Sequence, residues 1–86
     1  MVYAAGNGHT ATVDLLLSKG IAVNAAYENR LTALMWASGF GHQSTVQLLL
    51  DRGADPALVA NRGKTAAQIA KENNFLPLAA LLRIRK

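Results

Sequence analysis

Two histidines at matching positions are the residues whose type and spacing first suggest chemistry. His9 and His42 lie 33 residues apart, and each directly follows a glycine. A histidine pair can bind a metal ion or provide a general base. On packed helices about 8–10 Å apart, however, two such rings cannot share a zinc ion, whose bonds to nitrogen are about 2 Å long. We therefore expect turn histidines that hydrogen bond backbone groups of an adjacent structural unit.

The remaining residue types do not assemble a recognisable catalytic set. The chain has no cysteine, which excludes disulfides, thiolate metal ligands and a cysteine nucleophile. It also lacks the HExxH, GxSxG and GxxxxGK[ST] motifs of metalloproteases, serine hydrolases and phosphate-binding loops. We predict that the protein is not an enzyme and that it holds no metal ion and no cofactor.

The charge distribution favours neither nucleic acid nor a membrane as a partner. The net charge is +4, and Arg83, Arg85 and Lys86 crowd the last four positions. A nucleic-acid footprint would be a longer basic stripe with aromatic or amide side chains among the charges. No run of 18 apolar residues exists, which predicts no membrane span. No signal peptide is visible, and we expect a cytoplasmic location, with an upstream targeting signal left open.

The histidine spacing belongs to a repeat that covers the whole chain. Residues 1–20 and 34–53 share 10 identities without a gap. A third, weaker copy retains the register at Thr65, Ala66, Ala70, Leu81, Leu82 and Arg85. A fixed period of this length is typical of stacked repeats, in which each unit buries its apolar face against its neighbours.

The central copy, residues 32–64, predicts a helix, a tight turn, a second helix and an extended finger. Thr32 suits a helix N-cap, and the glycine-containing residues 39–42 break the first helix. Residues 44–52 carry an apolar stripe at helical spacing, and Gly53 ends that helix. The turn residues in 54–64 predict a hairpin-like finger that links one unit to the next.

This pattern resembles the ankyrin repeat family. The motifs that match are the TALM of residues 32–35, Gly41-His42, the leucine triplet 48–50, Gly53-Ala54-Asp55 and Val23-Asn24-Ala25. The resemblance implies an all-α solenoid of helix-turn-helix repeats joined by β-turn or hairpin fingers. We expect one domain, residues 1–86, with a partial repeat at 1–31, a full repeat at 32–64 and a C-terminal capping repeat at 65–86.

Several positions depart from the family pattern. Ala33 and Ala66 replace its proline, while Met35 and Gln68 replace the histidine that bonds the threonine hydroxyl. Gln68 can imitate that bond, whereas Met35 is expected not to. Arg30 stands where the finger usually has glycine.

The two ends of the chain carry expectations of their own. Met1 aligns with Leu34, in the middle of a first helix, so we expect an N-terminally truncated fragment. At the other end, Arg83, Arg85 and Lys86 are expected to give the last repeat a polar outer face. Asn24 matches a family position that is hydroxylated in animals, so it is a weak candidate for modification.

The resemblance implies a binding surface made of finger tips and the turn-proximal ends of first helices. By register these residues are Glu28, Asn29, Leu31, Trp36, Gly39, Phe40, Asn61, Arg62, Lys64, Glu72 and Asn73. Leu31 and Phe40 are apolar where exposure is expected, which favours a partner. Tyr3, Trp36 and Ile69 form a column that fits either packing between repeats or an exposed apolar strip.

The function that these features favour is a non-catalytic protein–protein interaction module with a concave binding surface. The expected partner is a protein, and the expected state is a monomer. The alternative is a structural capping segment of a longer ankyrin array that has no partner of its own.

Overall fold

The protein folds as three stacked helix pairs. The computed structural model describes residues 1–84, and within that range it contains no strand, a short 3-10 helix (Glu28–Arg30) and six α-helices. They are α1 (Val2–Gly6), α2 (Thr10–Ser18), α3 (Ala33–Gly39), α4 (Gln43–Asp51), α5 (Ala66–Glu72) and α6 (Leu76–Ile84). Helices α1, α3 and α5 pack side by side, and each also packs against the helix that follows it. The all-α solenoid expected from the sequence is confirmed. We refer to residues 1–31 as unit 1, to 32–64 as unit 2 and to 65–84 as unit 3.

Threonine caps begin the first helices of units 2 and 3. The hydroxyls of Thr32 and Thr65 accept from the backbone N–H groups of Met35 and Gln68, each at 3.3 Å. In return, Gln68 Oε1 accepts from the Thr65 N–H at 3.0 Å, and Met35 Sδ accepts from the Thr32 N–H at 3.5 Å. Neither side chain bonds the threonine hydroxyl. Met35 nevertheless completes a capping box through its thioether, a weak acceptor, which the sequence analysis did not expect.

Glycines in two equivalent turns are required by both geometry and space. Gly8 and Gly41 have φ values of +69° and +74°, in the left-handed region that other residues rarely adopt. A Cβ atom on Gly8 would lie 2.7 Å from the His42 ring, and one on Gly41 would lie 2.6 Å from the Phe75 ring. Each turn is therefore closely covered by a ring from the next unit.

The two fingers differ at their tips. Arg30 has a φ of +60° where the second finger has Gly63 at +72°. The first finger therefore places an arginine in a conformation that favours glycine. The fingers contact each other because the Asn61 N–H donates to the Asn29 carbonyl at 3.1 Å.

The core runs continuously through all three units. Leu34, Leu49, Val13 and Val46 are the largest fully buried apolar side chains. Ala4, Ala37 and Ala70 repeat every 33 residues along the row of first helices and are buried, which lets these helices pack closely.

The outer side of α6 is apolar rather than polar. Leu76 and Ile84 are 56% and 77% exposed, and Ala80 between them is also exposed. These positions lie on one stripe because they are spaced by four residues. Arg83 is exposed, whereas Arg85 and Lys86 of the expected basic cap lie outside the described residues. Within the described part of α6, the exposed Arg83 therefore stands beside an apolar stripe.

Candidate protein-interaction surface

Three adjoining hollows follow one another from the fingers to the turns between helices. We call them together the groove. The finger hollow lies beside the two fingers and has a volume of about 520 Å³. The central hollow lies beside Trp36 and Phe40 and has a volume of about 240 Å³. The turn hollow lies between α1 and α3 and has a volume of about 360 Å³. Leu31 and Ile69 line both of the first two hollows, and Trp36 and Phe40 line both of the last two.

Most of the residues that line the finger hollow are polar or charged. It is lined by Asn29, Leu31, Ala60, Asn61, Arg62, Lys64, Ile69 and Glu72. Lys64 and Glu72 form an ion pair at 2.8 Å, and the side-chain amides of Asn61 and Asn29 are bonded at 3.4 Å. Both contacts join different elements, so they hold the second finger against α5 and against the first finger. The Arg62 side chain has no hydrogen bond or ion pair among the described residues and is exposed.

The central hollow contains two aromatic side chains among its lining residues, which are Leu31, Met35, Trp36, Gly39, Phe40, Ile69 and Asn73. Phe40 is 57% exposed, and its ring stacks on Trp36 with centroids 6.2 Å apart and planes 11° from parallel. Phe40 also stacks on His42, with ring centroids 6.4 Å apart. Phe40 is thus exposed to solvent and supported by two rings. The Trp36 Nε1 atom is buried without a hydrogen-bond partner in the described chain.

The turn hollow lies between α1 and α3. It is lined by Val2, Tyr3, Gly6, Asn7, Trp36, Phe40 and His42. Tyr3 is 77% exposed and stacks on His9 at 5.8 Å. Trp36 and Ile69 are instead partly buried against the core. The column of Tyr3, Trp36 and Ile69 therefore combines the two alternatives: an exposed ring at one end and packing between units at the other positions.

The structure brings ten of the eleven predicted binding residues to the first two hollows, and only Glu28 lines neither. Glu28 is exposed on the first finger. Phe40 is exposed as expected. The expectation was wrong for Leu31, which is only partly exposed because it packs against the core. The sequence analysis did not assign Ala60 and Met35 to the lining of the groove, since neither stands at a finger tip or a turn.

The two histidines have different surroundings. His42 Nε2 lies 2.9 Å from the Gly6 carbonyl of unit 1, and because a carbonyl only accepts, that nitrogen carries the proton. The expected bond to an adjacent unit is thus confirmed for His42. His9 is exposed and makes no such bond. Across residues 1–84, no three His, Asp or Glu side chains are grouped closely enough to hold a metal ion.

Asn24, the candidate for modification, is held by two contacts to unit 2. Its Oδ1 accepts from the Asp55 N–H at 2.7 Å, and its Nδ2 donates to the Gly53 carbonyl at 3.3 Å. The side chain therefore connects the loop after α2 to the loop after α4.

Comparison with known families gives one match. The family model described as "Ankyrin repeats (3 copies)" matches residues 1–60. No curated protein matches the chain. None of the helices in the described range is both long enough and apolar enough to cross a membrane.

Proposed function

This chain belongs to the ankyrin repeat family, and from that premise we propose that it binds a protein partner through the groove, without catalysis. Ankyrin repeats are generally protein–protein interaction modules. The finer assignment, to this groove and these residues, is our proposal.

The observation that carries the proposal is the exposed Phe40 ring at the middle of the groove. The side chain of this phenylalanine is 57% exposed on a folded domain, so a partner that covers it removes apolar surface from water, which favours binding. Burial of a large aromatic ring at the centre of an interface is typical of binding hot spots, each of which contributes about 2 kcal/mol or more.

Phe40 is also held in place before any partner arrives. Trp36 and His42 stack on it, and Trp36 is partly buried against the core. Binding would therefore immobilise little additional side-chain freedom at this position. A preorganised surface retains more of its contact free energy as affinity.

The finger hollow would select among partners by polar contacts. Lys64 and Glu72 neutralise each other, so this pair favours neither sign of charge. Asn29 and Asn61 offer amide groups, and Arg62 offers a guanidinium that has no ion pair within residues 1–84. The partner that fits best places an apolar side chain over Phe40 and polar groups over the fingers.

A pair of variants with matched exposure tests this proposal. Phe40 and Leu76 are 57% and 56% exposed, but Leu76 lies on α6 and lines none of the three hollows. Proteins captured from the source extract by the wild-type chain should be retained by Leu76→Ala and lost with Phe40→Ala. Circular dichroism and urea unfolding would show that both variants remain folded. Capture that survives Phe40→Ala and disappears with Leu76→Ala would contradict the proposal.

A further inference from the structure

An asparagine that precedes a glycine occurs once in the sequence, at Asn7-Gly8. Asparagine is a thermolabile residue, because the backbone nitrogen of the next residue can attack its side-chain amide. Glycine hinders this attack least, since it has no Cβ atom and leaves the backbone free to rotate. The other five asparagines precede alanine, arginine, asparagine or phenylalanine. Asn7 is therefore the asparagine with the most favourable neighbour for this reaction.

The reaction needs no reagent other than a base and water. The Gly8 nitrogen loses its proton to the base and bonds to Cγ of Asn7, while the Cγ–Nδ2 bond breaks and the side-chain nitrogen leaves as ammonia. The product is a cyclic imide. Water then breaks one of the two C–N bonds of the ring. Breaking the new bond gives aspartate, and breaking the original peptide bond gives isoaspartate, in which the main chain runs through Cβ and Cγ.

The fold holds both reacting nitrogen atoms on carbonyl groups of α1. Asn7 Nδ2, the leaving nitrogen, donates to the Tyr3 carbonyl at 2.8 Å. The attacking nitrogen, that of Gly8, donates its N–H to the Ala5 carbonyl at 3.3 Å. Ring closure also requires rotation about the Cα–C bond of Asn7, away from its ψ of 6°, so that the Gly8 nitrogen approaches Cγ. The reaction is therefore slow while α1 and this turn are intact.

The His42 ring of unit 2 restricts the same turn. A Cβ atom on Gly8 would lie 2.7 Å from this ring, so the ring packs directly on the turn. The ring is held there because its Nε2 atom donates to the Gly6 carbonyl at 2.9 Å. Rotation of the Asn7-Gly8 segment would displace His42, and the contact between units 1 and 2 therefore adds to the protection of Asn7.

Helix α1, which protects Asn7, is the shortest α-helix in the described range, with five residues. Its N-cap, Met1, makes no side-chain hydrogen bond to it. Segments with so few stabilising contacts open locally at a low cost in free energy. We propose that Asn7 is a deamidation site, protected by the folded turn and released for reaction by local opening of α1. Opening frees both nitrogen atoms together, because Tyr3 and Ala5 belong to α1.

The product changes both the turn and the hollow beside it. A carboxylate at position 7 does not donate to the Tyr3 carbonyl, and its negative charge lies at the C-terminal end of α1, where a helix disfavours it. Isoaspartate also lengthens the main chain before Gly8 and shifts that residue relative to His42. Asn7 lines the turn hollow, so the groove gains a charge at this end. Because ammonia is lost, the change is irreversible.

The rate of conversion at each asparagine of the 86-residue chain tests the proposal without a partner. The chain is incubated at neutral pH in native buffer and in guanidinium chloride, then digested and analysed by mass spectrometry. In guanidinium chloride, Asn7 should react fastest of the six asparagines, and Asn24, which precedes alanine, is the internal control. In native buffer the conversion of Asn7 should be slower by about tenfold or more.

Two variants distinguish opening of α1 from unfolding of the whole chain. His42→Ala removes the ring from the turn and should accelerate the native conversion of Asn7 by about fivefold or more. Gly63→Ala, in the second finger, strains the backbone at a φ of +72° and meets no atom within 4 Å. It should change the rate by less than about twofold. All chains should react equally in guanidinium chloride, and circular dichroism would verify that both variants are folded.

The deamidated chain, separated by ion exchange, should have a lower urea midpoint and faster amide hydrogen exchange in α1 than the unreacted chain. Asn7→Asp should reproduce the part of this loss that is due to the charge. Three outcomes would overturn the proposal. The first is conversion of Asn7 as fast in native buffer as in guanidinium chloride. The second is equal acceleration by His42→Ala and Gly63→Ala. The third is a deamidated chain with unchanged midpoint and exchange.

Discussion

The contacts between units 1 and 2 and between units 2 and 3 share one register but use different chemistry. In the first joint, which is the contact between units 1 and 2, His42 lies over the Gly8 turn and Thr45 bonds Thr10. In the second joint, between units 2 and 3, Phe75 and Leu78 occupy the equivalent positions. Phe75 lies over the Gly41 turn, and Leu78 is buried at 4% exposure.

This comparison separates what the repeat requires from what it permits. Both joints place a flat ring over a glycine of positive φ, so the turn geometry is required. The polarity of the ring is not required, because the ring is His42 in one joint and Phe75 in the other. Directional bonds in the first joint specify the register, whereas the second joint depends on apolar burial, which contributes more free energy for each residue.

The largest expected effect comes from truncating the apolar joint. Leu78→Ala should lower the free energy of unfolding by about 2–5 kcal/mol, because it removes buried methyl groups and leaves a cavity. Thr45→Val, at the equivalent position of the polar joint, should cost about 1 kcal/mol through the lost bond to Thr10. Urea unfolding of both variants measures the difference. Equal costs would show that the two joints do not differ as described.

A methyl group in the turn under Phe75 should have the next largest effect. Gly41→Ala should cost about 2–4 kcal/mol, because it combines an unfavourable left-handed alanine with a clash against the ring. Gly53→Ala is the matched control: its φ is +93°, but nothing lies within 4 Å of an added Cβ. It should cost only about 1–2 kcal/mol, the conformational part alone. If both variants lose the same stability, then the ring does not restrict this turn.

The sequence predicted the repeat, the six helices and the bond from His42 to the preceding unit. It also predicted most of the groove, since register alone places Phe40 beside the fingers. It did not predict the partial burial of Leu31 or the capping contact of Met35. Both depend on side-chain packing that the 33-residue pattern does not encode. The sequence did not predict the apolar stripe of α6, because the repeat register does not specify which side of the last helix is left uncovered.

The two equivalent histidines should respond differently to substitution. His42→Ala should cost about 1–3 kcal/mol, since it leaves the Gly6 carbonyl without its partner and uncovers the turn. His9→Ala should be close to neutral, because His9 is exposed and bonds no backbone group. Thermal unfolding of the two variants, with and without zinc, is the measurement. A zinc-dependent rise in the melting temperature of the wild type would favour a metal site instead.

The smallest effect is expected at the ion pair of the first joint. The side chains of Arg52 and Asp14 are 41% and 45% exposed, so solvent and salt screen their attraction. Arg52→Ala should lower stability by less than about 1 kcal/mol, and the difference from wild type should shrink at high ionic strength. Urea unfolding at low and high salt measures this. A large, salt-independent loss would mean that Arg52 contributes by packing.

The central claim is that partner binding occurs through the groove and depends on Phe40. Its most direct test is the dissociation constant of the captured partner, measured by calorimetry for two variants. The first is Phe40→Ala, and the second neutralises Arg83, Arg85 and Lys86 together. We predict that Phe40→Ala weakens binding by about 30-fold or more, as loss of a hot spot does, while the triple variant binds within about threefold of wild type. Loss of binding in the triple variant, with unchanged affinity in Phe40→Ala, would contradict the account and favour an electrostatic contact at the C-terminal end.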